Sequence, residues 1–122
     1  MSAYRIVALP GDGTGREVMA EALKVLDVFQ VNGTVKFDIR VIPCGGQHYL
    51  ETGEQWPEGS FEICRDESDA ILLGAIGWPD ARLPNGDVAG GEVILGLRSG
   101  LDLYANVRPV SYTHLTLPTK RI

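Results

Sequence analysis

Two groups of residues in this chain have the types and spacing to do chemistry. The first is Pro10-Gly-Asp-Gly-Thr-Gly-Arg-Glu17, a glycine-rich stretch between an apolar run and a helical pattern. Glycines at such a junction let main chain approach a ligand closely and aim amide N–H groups at it. The spacing is neither the G-x-G-x-x-G dinucleotide fingerprint nor a phosphate loop with its Lys and Ser/Thr. By itself it reads equally as a tight strand-to-helix turn and as a cofactor contact. The second group is Arg98 and Arg108. Arg98 lies near the C-terminal end of a helical pattern, and Arg108 ends the alternating run that follows. Two guanidinium forks converging from those ends can clamp carboxylates bidentately. The competing reading is two surface arginines, each paired with an Asp or Glu.

The elements that must position these groups follow from the hydrophobic period. Residues 4–9 form an apolar run ended by Pro10-Gly11, which predicts a buried strand. A helix is predicted over 16–30, with Val18, Ala22, Val25 and Phe29 on one apolar face and Met19 and Leu26 beside it. Asn32-Gly33 closes it, and residues 35–41 alternate as a strand with one wet face does. Residues 44–56 read as irregular or weakly helical. Pro57 suits the first turn of a short helix carrying Phe61 and Cys64. A buried strand over 69–74, a long Gly/Pro/Asp/Asn-rich loop over 77–90 and a helix over 91–99 come next. The alternation of 101–107 predicts a last strand, with Leu101, Leu103, Ala105 and Val107 on one side and Asp102, Tyr104, Asn106 and Arg108 on the other. The order β-α-β-α-β-loop-α-β predicts an α/β fold, a sheet with helices packed on its faces.

Composition narrows the function classes. The 122 residues are 44% apolar and 22% charged, which is ordinary for a globular chain with a core of its own. No apolar run approaches the ~20 residues of a membrane helix, and the N-terminus enters a strand directly. The expectation is a cytoplasmic protein without a membrane partner. Lys120 and Arg121 are the only charged residues past Val110, so residues 1–110 carry 9 basic and 16 acidic groups, a net charge of −7. That balance argues against nucleic acid as a partner. It leaves an anionic small molecule open, since a few arginines can reverse the field inside a cleft. Cys44 and Cys64 lack metal-ligand spacing and read as buried free thiols. His48 and Tyr49 receive no acid–base role, because nothing in the sequence positions a partner for either. Trp56 and Trp78 read as packing residues.

The composition shifts abruptly after Pro109, where residues 110–122 contain no Gly, Asp or Glu. Residues 110–119 are a direct translation of gtc-tct-tat-aca-cat-ctg-acg-ctg-ccg-acg, which resembles the transposon end and adapter used in preparing DNA libraries. The expectation is a domain portion over 1–109 and a non-native tail over 110–122. A short natural strand is the competing reading of that tail.

The quoted motifs carry a family resemblance. Leu9-Pro-Gly-Asp-Gly-Thr-Gly-Arg-Glu17, Asp69-Ala-Ile-Leu-Leu-Gly-Ala-Ile-Gly-Trp-Pro79, Leu97-Arg98 and Tyr104-Ala-Asn-Val-Arg-Pro109 occur in the order found in the β-decarboxylating dehydrogenases. Members of that family act on isopropylmalate, isocitrate, homoisocitrate, tartrate or D-malate. The resemblance covers residues 4–109. It implies the N-terminal portion of the isopropylmalate-dehydrogenase-like fold, which is not a Rossmann fold. It also implies NAD-dependent oxidation and decarboxylation of a 2-hydroxy acid by the full-length parent, with Mg or Mn as second cofactor and a homodimer as the working unit.

Carried over residue by residue, Arg98 and Arg108 are the substrate arginines, while Thr14, Gly74, Ala75, Ile76 and Gly77 face the cofactor. Substrate choice depends on side chains just before the first arginine. Here Val93, Ile94 and Leu95 stand there, with Ile94 and Leu95 best aligned to meet an isopropyl group. An apolar pocket disfavours the extra carboxylate of isocitrate. That supports 3-isopropylmalate, hence leucine biosynthesis, with the other members' substrates as alternatives. Three positions depart from the pattern: Thr14 replaces a commoner isoleucine, Gly91 a frequent acidic residue, and Glu92 adds a charge beside the apolar pair. The catalytic Tyr and Lys, the metal-binding aspartates and the NAD/NADP determinants have no counterparts in this chain. The resemblance therefore implies an inactive fragment with no catalytic or metal-ligating residues. A reading from another class is a small anion-binding module complete at this length.

Overall fold

The structure is a computed structural model that describes residues 3–110. Its elements are β1 (Tyr4–Leu9), α1 (Thr14–Val31), β2 (Phe37–Val41), α2 (Gly46–Thr52), α3 (Ser60–Asp66), β3 (Ala70–Leu73) and α4 (Gly91–Gly100). The strands form one parallel sheet in the order β2-β1-β3. Tyr4 pairs with Phe37 and Ala8 with Val41 on one side, and Ile6 with Ala70 and Leu9 with Leu73 on the other. The chain thus steps from β1 to one neighbour and returns across β1 to the other. Right-handed crossovers, the rule for parallel strands, place α1 on one face and α2–α3 on the opposite face. Arg5 clamps the start of β3 to β1. Its N–H donates to Asp69 Oδ2 at 2.8 Å, and its guanidinium to Asp69 Oδ1 at 3.1 Å.

The alternation in β1 explains the core. Val7 and Leu9 turn to the face where Ile42, Cys44, Cys64, Val93 and Leu97 bury, flanked by Trp56 and Phe61. Ala8, on the other face, is fully buried, and Met19 is the buried apolar side chain of α1. The strands over 4–9, 35–41 and 69–74 and the helices over 16–30 and 91–99 are present with trimmed or extended ends, as is the short helix after Pro57.

Four features differ from the sequence expectation. The strand expected to be buried over 69–74 is a sheet edge among the described residues, so Ala70 and Leu73 are exposed and Ile71 and Leu72 only half-buried. The buried side of α1 is centred on Gly15 and Met19, with Val18, Val25 and Phe29 between 46% and 62% exposed. The apolar arc of α1 is wider than a three-stranded sheet can cover, so only one part of it is used. Residues 46–52 form a regular helix inside the stretch read as irregular or weakly helical. The strand expected over 101–107 is absent. A strand needs a partner edge and an apolar surface, and Leu103, Tyr104 and Val107 have neither, each being 61% exposed or more. Asp102 takes a left-handed turn at φ 55 instead, and the Leu103 N–H returns to the carbonyl of Arg98. Residues 111–122, most of the segment read as adapter-derived, lie outside the described residues.

Candidate functional site

In a parallel sheet, a ligand crevice opens where adjacent strands send their chains to opposite faces. Here that point lies between the C-terminal ends of β1 and β3. Leu9 runs into the glycine-rich turn and Leu73 runs into residues 74–77, so the topology brings together both segments assigned to the cofactor.

The two loops are in direct contact. The Asp12 N–H donates to the carbonyl of Ala75 at 2.7 Å. A Cβ on Gly15 would collide with the Pro10 carbonyl oxygen and lie 2.7 Å from the Ala75 nitrogen. The glycine at position 15 therefore serves the approach of one loop to the other, not of a ligand to the turn. Room for a ligand lies further out: Thr14, Ala75 and Gly77 are exposed, and Gly77, at φ 142, has nothing within 4 Å of its Cβ position. Gly74 and Ile76 are half-buried.

A second cluster abuts the first. The Ile76 side chain rests against Gly90, the N-cap of α4. Gln55 caps that helix from outside, its Oε1 accepting from the Gly90 and Glu92 N–H groups at 2.7 and 3.2 Å. On α4, Val93 and Leu97 are spent in the core. Ile94 and Arg98, four residues apart, share the outer side with Leu95, which is 62% exposed. Arg98 is exposed, with Asp102 the nearest acid in sequence and no acidic partner among the described residues. It lines a shallow hollow of about 220 Å³ with Leu103, Tyr104, Ala105 and Asn106. Arg108 lies off this hollow, its Nε donating to Asn106 Oδ1 at 3.3 Å. The structure thus puts Ile94, Leu95 and Arg98 on one side of α4, whose N-terminal end meets the loop pair, while Arg108 stands in the exposed stretch that replaces the expected strand.

Sequence reasoning passed over the residues that tie these loops together. Asp12 is 3% exposed, and its carboxylate accepts from the N–H groups of Gly46, Gln47 and Gly77. Gln47 returns the favour, its Oε1 accepting from the Gly13 N–H at 2.8 Å. The signals were weak: an Asp inside a glycine turn, and glutamines in a stretch without periodicity. His48 is buried on α2, and its Nε2 has no partner among the described residues. Burial pushes the Cys44 thiol up to about 11, and the Cys64 thiol moves in the same direction for the same reason. Neither is suited to nucleophilic work. Among the described residues, no group of three His, Cys, Asp or Glu could hold a metal ion. No helix there is long and apolar enough to cross a membrane.

Residues 5–121 match the family described as isocitrate/isopropylmalate dehydrogenase. Among similar curated proteins are 3-isopropylmalate dehydrogenases of Clostridium acetobutylicum, 41% identical over 109 residues, and Trichormus variabilis, 46% identical over 109 residues. That of Aquifex aeolicus is 44% identical over 110 residues. The alignments cover 89%, 87% and 89% of this chain and 30%, 29% and 30% of those proteins. The crystal structure of a β-decarboxylating dehydrogenase from Thermococcus kodakarensis superposes with a TM-score of 0.63 at 35% identity. That match covers 83% of this chain and 27% of the other. The chain therefore spans about 30% of the length of the curated relatives it matches.

Proposed function

Because the chain belongs to the isocitrate/isopropylmalate dehydrogenase family, we propose that the whole protein oxidises and decarboxylates a 2-hydroxy acid with NAD, and that this acid is 3-isopropylmalate. The observation that carries the substrate choice is the division of labour on α4. Val93 and Leu97 are committed to the core, which leaves Ile94 and Leu95 available beside Arg98. A carboxylate of the substrate pairs with the Arg98 guanidinium, and an isopropyl group lies against the two apolar side chains. A second carboxylate in that position would lose its hydration without gaining a partner.

Bound NAD would supply the acceptor for a hydride from C2 of the substrate. The residues present fit it at the switch point: Thr14 and Gly77 offer an exposed hydroxyl and an unobstructed stretch of main chain, flanked by Gly74, Ala75 and Ile76. Contact of Ile76 with Gly90 supports this reading, since it sets the 74–77 segment against the N-terminal end of α4. The divalent ion implied by the family finds no ligand set among the described residues. On this reading, Mg or Mn and the proton-transfer groups belong to the remainder of a cytoplasmic homodimeric enzyme. Arg108 joins Arg98 once the 103–110 stretch is held as a strand there.

The test is a substrate panel on the full-length protein with NAD and Mg. kcat/KM is expected to be highest for 3-isopropylmalate, ahead of isocitrate, homoisocitrate, D-malate and tartrate. Leu95→Ala should lower it by at least roughly tenfold for 3-isopropylmalate, the low end of what a single methylene is worth in a pocket, and by much less for D-malate. Isocitrate as the best substrate would sink the assignment of Ile94 and Leu95.

A further inference from the structure

We infer that Asp12 is a positioning residue for the dinucleotide: its buried carboxylate fastens the 74–77 segment and the start of α2 to the glycine turn, and so fixes where Thr14 and Gly77 meet the cofactor. This rests on the proposed dinucleotide site.

The residue is 3% exposed, and the hydrogen-bond donors to its carboxylate among the described residues are main-chain amides. Oδ2 accepts from the Gly46 N–H at 2.9 Å and the Gly77 N–H at 2.8 Å, and Oδ1 accepts from the Gln47 N–H at 2.8 Å. Two of these bonds reach 34 and 35 residues along the chain and the third reaches 65. A buried carboxylate is costly unless its oxygens are occupied. The amides meet that requirement with both oxygens engaged. Room is made for it as well: a Cβ on Gly45 would sit 2.6 Å from Asp12 Oδ2.

An amide cannot replace this group. Asn offers one acceptor oxygen and one NH₂ donor. Turned one way, the NH₂ faces the Gln47 N–H, and turned the other it faces those of Gly46 and Gly77. A role confined to capping α2 would be complete with Gly46 and Gln47. The bond to Gly77 goes further, because it holds an exposed residue whose far side is open. With the Asp12 N–H on Ala75, the same residue grips the loop at two points, 75 and 77. The residue is almost wholly buried, so its effect on binding passes through Gly77.

The test uses the full-length protein, with Asp12→Asn beside a destabilised control, Cys64→Ala, which opens a cavity in the core from α3, an element that belongs to neither loop. Asp12→Asn is expected to raise KM for NAD at least about tenfold, while KM for the 2-hydroxy acid changes less than threefold. Cys64→Ala is expected to lower the melting temperature and leave KM for NAD within twofold. Amide hydrogen exchange on the wild type supplies a readout that survives a misfolded variant. The Gly77 amide should be protected although the residue is exposed, and NAD should increase that protection. A folded Asp12→Asn protein with unchanged KM for NAD overturns the inference. So does a Gly77 amide that exchanges at the free-chain rate, or an equal rise in KM for NAD in both variants. A wild-type protein with no NAD binding overturns the dinucleotide reading itself.

Discussion

Adding one methyl group at Gly15 should destabilise the protein, and adding the same methyl at Gly96 should stabilise it. Both glycines lie in helices, Gly15 in the first turn of α1 and Gly96 in the middle of α4. Alanine is favoured over glycine inside a helix by about 1 kcal/mol. At Gly96 nothing lies within 4 Å of the new Cβ, so most of that preference should be realised. At Gly15 the Cβ would collide with the Pro10 carbonyl and stand 2.7 Å from the nitrogen and oxygen of Ala75. These are main-chain atoms of two separate segments, and no side-chain rotation relieves the overlap. Forced overpacking costs about 1–3 kcal/mol, and the helix preference is smaller at an end. The net expectation is a loss of about 1–2 kcal/mol for Gly15→Ala and a gain of about 0.5–1 kcal/mol for Gly96→Ala. Urea unfolding followed by tryptophan fluorescence reads both as shifts in midpoint at constant slope. A stabilised Gly15→Ala protein would mean that the turn and the 74–77 segment do not touch, and the site described above would fall with that contact.

Further outcomes follow from the ionisable groups and from the end of the chain. With its pKa near 11, Cys44 carries on the order of one thiolate in a thousand at pH 8, so iodoacetamide should label it only once urea exposes it; rapid labelling in buffer, seen by mass spectrometry, contradicts its burial. The hydrogen bonds from Arg5 hold the Asp69 carboxyl below its usual 3.8, so its stabilising contribution is present above that pH and is lost as the pH falls through the lowered value. Thermal melts of the protein and of Asp69→Asn should accordingly differ at pH 7 and converge in acid; a difference that grows as the pH drops refutes the pairing. Amplifying the source gene across the codon for Arg108 should yield further coding sequence in place of residues 111–122; a natural gene that encodes those residues and stops refutes the adapter reading.

Much of the fold was legible because burial and period coincide in it. Residues 4–9 and 69–74 are short apolar runs between turn signals, and they became the central strand and its neighbour. Residues 35–41 alternate, and their strand alternates in exposure up to Arg40. The pattern failed where it depended on a partner. The alternation of 101–107 is as regular as that of β2, yet alternation only states which side of a strand could be apolar. Pairing requires an edge, and among the described residues those positions find none. The side of α1 was misjudged for a related reason. Val18, Val25 and Phe29 lie on one stripe with Ala22, and Gly15 and Met19 on the stripe beside it. Choosing between adjacent stripes needs the close approach at Gly15, which a hydrophobicity pattern cannot report.

The candidate site divides along the same line. Thr14, Gly74–Gly77, Ile94, Leu95 and Arg98 could be singled out because residue type and order suffice to match a motif. Asp12, Gln47 and Gln55 could not, since their roles are defined by N–H groups 34 to 65 residues away. A carboxylate flanked by glycines is ordinarily a turn residue whose oxygens face water or its own next amides. Here Gly11 and Gly15 strip away the bulk that would keep the two loops apart, and the carboxylate fills the space that closeness creates. The glycine-rich motif is thus a packing device before it is a ligand-binding one. That ordering explains why the turn lacks the spacing of the known phosphate loops: its amides and glycines are occupied by the protein, and the open main chain has moved to Gly77 on the partner loop.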